Sequence, residues 1–114
     1  MQWKELTDIA QLEEVDLESS TTRNGIVIFK HSTRCAISSM VWGRFKRNWN
    51  KDEKDIPVYY LDLLKHRDVS NRVAEHYRIQ HQSPQVLLIR NGECVYDASH
   101  NAIAPAYIEG ILND

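Results

Sequence analysis

Three apolar runs punctuate a chain whose other apolar positions recur at helical spacing. Ile26-Val27-Ile28-Phe29 is uninterrupted and rich in β-branched residues, the mark of a strand covered on both faces. Residues 56–63, Ile-Pro-Val-Tyr-Tyr-Leu-Asp-Leu, form a second buried-type strand, with Pro57 restricting its start. Gln85-Val86-Leu87-Leu88-Ile89 is a third, and Asn91-Gly92 behind it is a strong hairpin signal that joins it to Glu93-Cys94-Val95-Tyr96. Between the runs the period changes. Residues 3–18 read as a first helix, with Trp3, Leu6, Ile9, Ala10 and Leu12 as an imperfect stripe and Thr7 or Asp8 with Gln11 as a local cap. Residues 35–48 read as a second, with Ile37, Met40, Val41, Phe45 and Trp49 among its apolar positions. Ser70 is placed to cap a third helix through Val73, Ala74 and Tyr77, and a fourth covers about 103–112, with Ile103, Tyr107, Ile108, Ile111 and Leu112 on its apolar side.

Polar loops separate these elements. Residues 19–25 end in a turn-prone Asn-Gly pair, 51–55 form a charged turn, and Lys65-His66-Arg67-Asp68 links the second strand to the third helix. The order is helix, strand, helix, strand, helix, strand, hairpin strand, helix. Alternation in the first half predicts parallel pairing, and the hairpin adds an antiparallel edge. The expected fold is therefore α/β, a small mixed sheet with helices on both faces, in one domain over residues 1–114.

Composition narrows the function more than the fold. Apolar content of 42% and charged content of 26% suit a soluble globular domain, and a net charge of -2 gives no electrostatic reason for a nucleic-acid or anionic-membrane partner. No apolar run approaches a membrane span, and Met1-Gln2-Trp3-Lys4-Glu5 lacks the pattern of a signal peptide. Two cysteines at unrelated positions make no disulfide framework, so a reducing compartment, the cytoplasm, is expected.

One of those cysteines carries the chemistry. Cys35 follows the first strand where the second helix begins, and Ser38 stands three residues on, the spacing of a dithiol redox motif with a hydroxyl replacing the second sulfur. A thiol at a helix N-terminus faces unpaired N–H groups and the positive end of the helix dipole, which favour the thiolate, the form that attacks disulfides. Arg34, with Lys30 and His31 nearby in sequence, strengthens a reactive reading over that of a small buried hydrophobe. The Ser38 hydroxyl could donate to the Cys35 thiolate, or simply sit in the first helical turn.

Phe29-Lys30-His31-Ser32-Thr33-Arg34-Cys35-Ala36-Ile37-Ser38, taken with the element order, resembles the signature of the monothiol bacilliredoxins, a thioredoxin-like family. The chain departs from the family pattern where Arg34 intervenes between Thr33 and Cys35, and where Ala36 replaces a proline. The resemblance implies a thioredoxin-like fold over nearly the whole chain. It further implies that Cys35 attacks the small-thiol sulfur of a mixed disulfide on a client protein, the small thiol being bacillithiol or a relative. Partners are then S-thiolated proteins and the small thiol itself, a co-substrate beside which no metal or organic cofactor is expected. The resemblance also makes Ser83-Pro84 the cis-proline that faces the cysteine, with the Ser83 backbone free to pair with substrate, and it puts Thr33 and Arg34 on the substrate side.

Other residues carry less. Cys94 sits in the hairpin strand, away from Pro84, and reads as structural. His31 reads as a strand-end residue, and His66, His76, His81 and His100 show no ligand spacing, so no metal site is expected. Arg44, Lys46 and Arg47 read as a solvated face, and Trp42 and Trp49 as packing. Two rival functions stand beside the exchange reading: a glutaredoxin-like iron–sulfur carrier using Cys35 and an external thiol, and a non-enzymatic thioredoxin-like binding module.

Overall fold

The apolar run at residue 26 becomes the middle strand of a five-stranded sheet. A computed structural model of the chain describes residues 1–22, 24–52 and 55–112. Its elements are β1 (Lys4–Glu5), α1 (Gln11–Thr21), β2 (Ile26–His31), α2 (Ala36–Asn48), β3 (Val58–Asp62), α3 (Arg67–Tyr77), β4 (Gln85–Arg90), β5 (Glu93–Ser99), a 3₁₀ turn (His100–Ala102) and α4 (Pro105–Leu112). The sheet order is β1-β3-β2-β4-β5. β1 and β2 run parallel to β3, while β4 is antiparallel to β2 and β5 to β4.

All six residues of β2 are buried, as a strand covered on both faces requires. Alternation sends Ile26 and Ile28 to one side, where they meet Leu12 and Val15 of α1 and Val69, Val73 and Tyr77 of α3. Val27 and Phe29 go to the other side and meet Val41, Trp42 and Phe45 of α2, Trp49 just after it and Ile108 of α4. The mixed sheet with helices on both faces is thus as expected.

Several elements differ in extent. Residues 3–18 are not one helix: Lys4 and Glu5 pair with Tyr59 and Tyr60, and α1 starts only at Gln11. The cap read at Thr7 and Asp8 is real but marks the start of α1, because Gln11 Oε1 accepts from the N–H groups of both residues at 2.7 and 2.9 Å. Trp3 and Ile9, expected in the stripe, are largely exposed. α1 also continues through Ser19–Thr21, where a loop was expected. Ser70 caps nothing; it lies within α3, buried, and α3 begins at Arg67 after the Asp62 carboxylate accepts from the N–H groups of Leu64 and Lys65. β5 runs on to Ser99 because its whole length pairs with β4, and Val95 is the extra residue of a bulge opposite Leu88/Ile89. Arg23, Glu53 and Lys54 of the expected loops, and the Leu112 side chain of the last apolar stripe, lie outside what the structure describes.

Two turns depend on residue type. Asn91 and Gly92 both have positive φ, 51° and 74°, which gives the two-residue hairpin the twist its strands need. At Gly25, φ is +92° and an added Cβ would collide with the Ile89 carbonyl oxygen. Replacing Gly25 with alanine should lower unfolding free energy in urea titrations by about 2 kcal/mol or more, since both φ and contact are prohibitive. At Gly110, exposed in α4, an added methyl would meet none of the described residues, and the same change should stabilise the chain by about 0.5–1 kcal/mol.

Candidate active site

Leaving the sheet at His31, the chain makes a tight turn in which Cys35 N–H donates to Ser32 O at 3.1 Å. Cys35 is the N-cap of α2, extended at φ -103° and ψ 120°, and its carbonyl accepts the first helical bond, from Ser39 N–H at 3.0 Å. The side chain is partly exposed, and Thr33, Arg34, Ala36 and Ile37 around it are exposed. The buried stripe of α2 is Ser38, Val41, Trp42 and Phe45, followed by Trp49. Ile37 and Met40, two of the apolar positions read from the sequence, point outward at 55% and 56% exposure. The serine takes the core position because something polar waits for it there.

That something is the end of β2. Ser38 Oγ lies 2.7 Å from His31 Nδ1 and accepts from Ser32 N–H at 3.0 Å. The arrangement that satisfies every group has the hydroxyl donating to a neutral imidazole. Burial pushes the His31 pKa below its ordinary value; Asp62 opposes this and Lys46 reinforces it. The hydrogen bonds of the Ser38 hydroxyl among the described residues go to His31 and Ser32, and none goes to Cys35, the bond weighed from the sequence. Its place is inside the turn, tying the first helical turn to the strand end and so fixing where Cys35 sits.

Register brings Ser83-Pro84 to the same end of the sheet. Lys30 pairs with Gln85, so the residues preceding Gln85 lie beside those following Lys30. The Ser83-Pro84 peptide is cis, Pro84 O accepts from His100 N–H at 3.0 Å, and Ser83 Oγ is buried with no hydrogen-bond partner among the described residues. Thr33 and Arg34 line a cleft of about 440 Å³ together with Asp62, Leu64, Lys65 and Arg67. The sequence reading missed His31 as an organiser of the turn, and Lys65 and Arg67 as neighbours of Arg34. Their signal was only position, since both loops follow the ends of parallel strands.

Cys94 is elsewhere. It pairs with Ile89, which pairs with Ile26, so it lies at the opposite end of β2 from the turn carrying Cys35. The five residue steps of β2 from Ile26 to His31 alone span roughly 16 Å, well beyond the ~7 Å Cα reach of a disulfide. Its thiol donates to Tyr96 O at 3.3 Å, and burial pushes its pKa up to about 11. Trp42 and Trp49 are buried packing residues. The basic face is partly engaged: Arg44 donates to Ile103 O and Lys46 lies over the rings of Trp3 and Trp42. Among the described residues no group of three or more His, Cys, Asp or Glu is arranged to hold a metal.

Residues 4–108 match the family described as Monothiol bacilliredoxin BrxC. The chain belongs to that family. Among solved structures it is similar to a protein described as a candidate oxidoreductase with a thioredoxin fold, at 29% identity and TM-score 0.78, covering 97% of this chain and 93% of that one. It is also similar in fold to Schistosoma mansoni thioredoxin, at 24% identity and TM-score 0.68 over 99% and 97% of the two chains. Malassezia sympodialis thioredoxin matches at 14% identity and TM-score 0.71 over 98% and 89%. The fold is that of thioredoxin, and family and neighbours together support a thiol redox function.

One buried group stands behind the site. Lys30 has no exposed surface; its amine donates to Ser70 O at 3.3 Å and meets His81 Nδ1 at 3.2 Å, with no carboxylate among its described partners. Burial lowers its pKa from 10.5 to about 8. Above pH 8 the folded chain has released this proton while the unfolded chain still holds it, so this amine makes stability rise with pH until the unfolded amine also titrates. Between pH 8 and pH 10 the gain is about 2 kcal/mol. Urea unfolding of the native chain and of Lys30→Met should therefore differ by about 2 kcal/mol more in favour of the native chain at pH 10 than at pH 8. An unchanged difference would mean that the buried amine carries no such proton linkage.

Proposed function

We propose that the protein is a monothiol thiol–disulfide oxidoreductase that exchanges bacillithiol, or a similar small thiol, on protein cysteines through Cys35. The observation that carries this reading is the separation of the two thiols: Cys35 is accessible at the head of α2, and Cys94, the only other cysteine, is held in the far end of the sheet. In the first step the Cys35 thiolate attacks the small-thiol sulfur of a mixed disulfide. The client thiolate leaves, and Cys35 is joined to the small thiol. In the second step a free small-thiol anion attacks that sulfur, Cys35 leaves as thiolate, and a symmetric small-thiol disulfide departs. The electrons for the reduction come from the small thiol.

Chain residues do the positioning. The His31–Ser38–Ser32 link fixes the Cys35 turn, Thr33 and Arg34 border the incoming group, and Ser83 ahead of Pro84 offers its backbone at the same sheet end. The reading takes S-thiolated proteins as partners and no resident metal or organic cofactor. It requires a reducing compartment such as the cytoplasm; no described helix is long and apolar enough to cross a membrane.

Incubation with oxidised bacillithiol, and in parallel with oxidised glutathione, followed by intact-protein mass spectrometry should give one bacillithiol adduct, mapped to Cys35 and formed faster than the glutathione one. Cys94→Ser should keep it and Cys35→Ser should lose it. An adduct on Cys94, or none on confirmed free thiols, would overturn the reading.

A second variant tests the missing exit. Ser38→Cys should turn the lasting adduct into a transient one, releasing the small thiol and leaving the chain two hydrogens lighter. A lasting adduct in this variant would show that position 38 cannot reach the Cys35 sulfur, so that its side chain is no guide to the monothiol chemistry.

A further inference from the structure

Two buried polar residues face each other behind the site. Lys30 of β2 and Gln85 of β4 pair in the sheet register, so their side chains share the α3 face. Lys30 is 0% exposed and Gln85 1%, and with Ser70 they make three of the six buried polar or charged residues among those described. Burying an amine and a carboxamide costs more than burying two aliphatic chains of the same size. Neither has a carboxylate among its described hydrogen-bond partners. Their bonds go instead into one short stretch of chain, the connection from α3 to the cis peptide Ser83-Pro84.

Gln85 Nε2 donates to Gln80 O at 3.0 Å, and Gln85 Oε1 accepts from Gln82 N–H at 3.4 Å. Between these two anchor points lies His81, whose Nδ1 is 3.2 Å from the Lys30 amine; that amine also donates to Ser70 O of α3 at 3.3 Å. Residues 80, 81 and 82 are thus held in succession, two by Gln85 and one by Lys30. The next residue, Ser83, carries the backbone that the exchange reading offers to substrate.

The ties differ in one respect. Those of Gln85 join neutral groups, whereas that of Lys30 ends on an exposed imidazole. An ammonium donates only to an imidazole nitrogen that carries no proton. From β2 and α3 the charged groups that face His81 are Lys30 and Arg67, and β4 adds only the neutral Gln85. Burial, then the charges of Lys30 and Arg67, lower the His81 pKa below its ordinary 6.5. A proton on Nδ1 would set donor against donor and charge against like charge 3.2 Å apart. Lys30 is enclosed and cannot leave, but the exposed ring can, and its departure frees the middle of the segment. Loss of the Lys30 proton near pH 8 has no such effect, because an NH2 group keeps two hydrogens for the same two acceptors. The hold is therefore complete above pH 6.5 and is lost as pH falls through the lowered His81 value.

We propose that Lys30 and Gln85 are positioning residues for the exchange at Cys35, holding residues 80–82 so that Ser83 meets the substrate, and that a proton on His81 releases the hold. The proposal rests on the exchange reading above and adds a regulation of that same site by acid. The proton passes from water to His81 Nδ1, the hydrogen bond from Lys30 breaks, and the ring turns to solvent. Lys30, Gln85 and His81 act through the Ser83-Pro84 segment, not on the reacting sulfurs.

The test uses the full chain with Cys94→Ser as parent, and a single-cysteine peptide carrying bacillithiol in a mixed disulfide. His81→Gln in that parent keeps an oxygen acceptor for the Lys30 amine but does not titrate. The ratio of the two proteins' rates of peptide release cancels the ionisation of Cys35 and of the other histidines. As pH is lowered from about 7.5 to about 4.5, across the histidine range, the parent-to-variant ratio of kcat/KM should fall. The fall should be roughly tenfold, the worth of one hydrogen bond to a charged group, with KM carrying the change. It should follow the His81 ring resonances in an NMR titration. Over the same range the Gln82 amide, corrected for its intrinsic exchange rate, should lose about tenfold of its protection in the parent and keep it in His81→Gln. Lys30→Met should show the lower Gln82 protection already at neutral pH. A ratio that stays level while His81 titrates, or Gln82 protection that falls alike in parent and His81→Gln, would overturn the proposal. A peptide that never passes its bacillithiol to Cys35 would instead overturn the exchange reading, and the Gln82 protection would still decide whether His81 holds the segment.

Discussion

The Ser38 hydroxyl ties the end of the central strand to the start of the helix that carries Cys35, and the geometry of the site depends on that tie. It accepts from Ser32 N–H and reaches His31 Nδ1, so three residues of the turn are joined through one oxygen. A four-residue turn with exposed Thr33 and Arg34 has little apolar surface of its own to hold it. Burying the hydroxyl at a core-facing position of α2 makes the turn as fixed as the helix. Leaving His31 and Ser32 without this partner would cost about 1–3 kcal/mol for each buried group that lost its bond. The serine in C-x-x-S is thus a structural part of the site even though it carries no sulfur.

The same strand end shows how a small domain places polar groups in its interior. Alternation along β2 sends Lys30 to the α3 side and His31 to the α2 side, one residue apart and on opposite faces. Burial shifts both towards their neutral forms. Each holds a loop of the site: His31 the turn with Cys35, and Lys30, through His81, the segment leading to Ser83-Pro84. An apolar residue at either position would pack as well but could not hold a loop by hydrogen bonds. The unfavourable burial of an amine is offset by what it fixes.

Much of this fold was legible because the apolar runs are long and uninterrupted: Ile26–Phe29 and Gln85–Ile89 leave no choice but a covered strand, and Asn91-Gly92 no choice but a hairpin. The first helix was misread at its start because β1 has only two residues, and its pairing with Tyr59 and Tyr60 is a tertiary contact with no periodic trace. The apolar positions of α2 do not all share its buried face, since Ile37 and Met40 point outward. A serine on the buried face is not recognisable until His31 is seen to meet it. The position of Cys35 was readable from its strand-to-helix context, whereas Lys65 and Arg67 lie over thirty residues away and join Arg34 only through the parallel pairing of β2 with β3.

Segregation of the two thiols to opposite ends of the sheet has a kinetic consequence under the exchange reading. A dithiol protein resolves its mixed disulfide with a thiol held nearby at high effective concentration, so the second step is independent of the surrounding pool. Here Cys94 is both distant and held protonated up to about pH 11, so the second thiol must come from solution. The second step then runs in proportion to the free small thiol, and the protein's resting state follows that concentration.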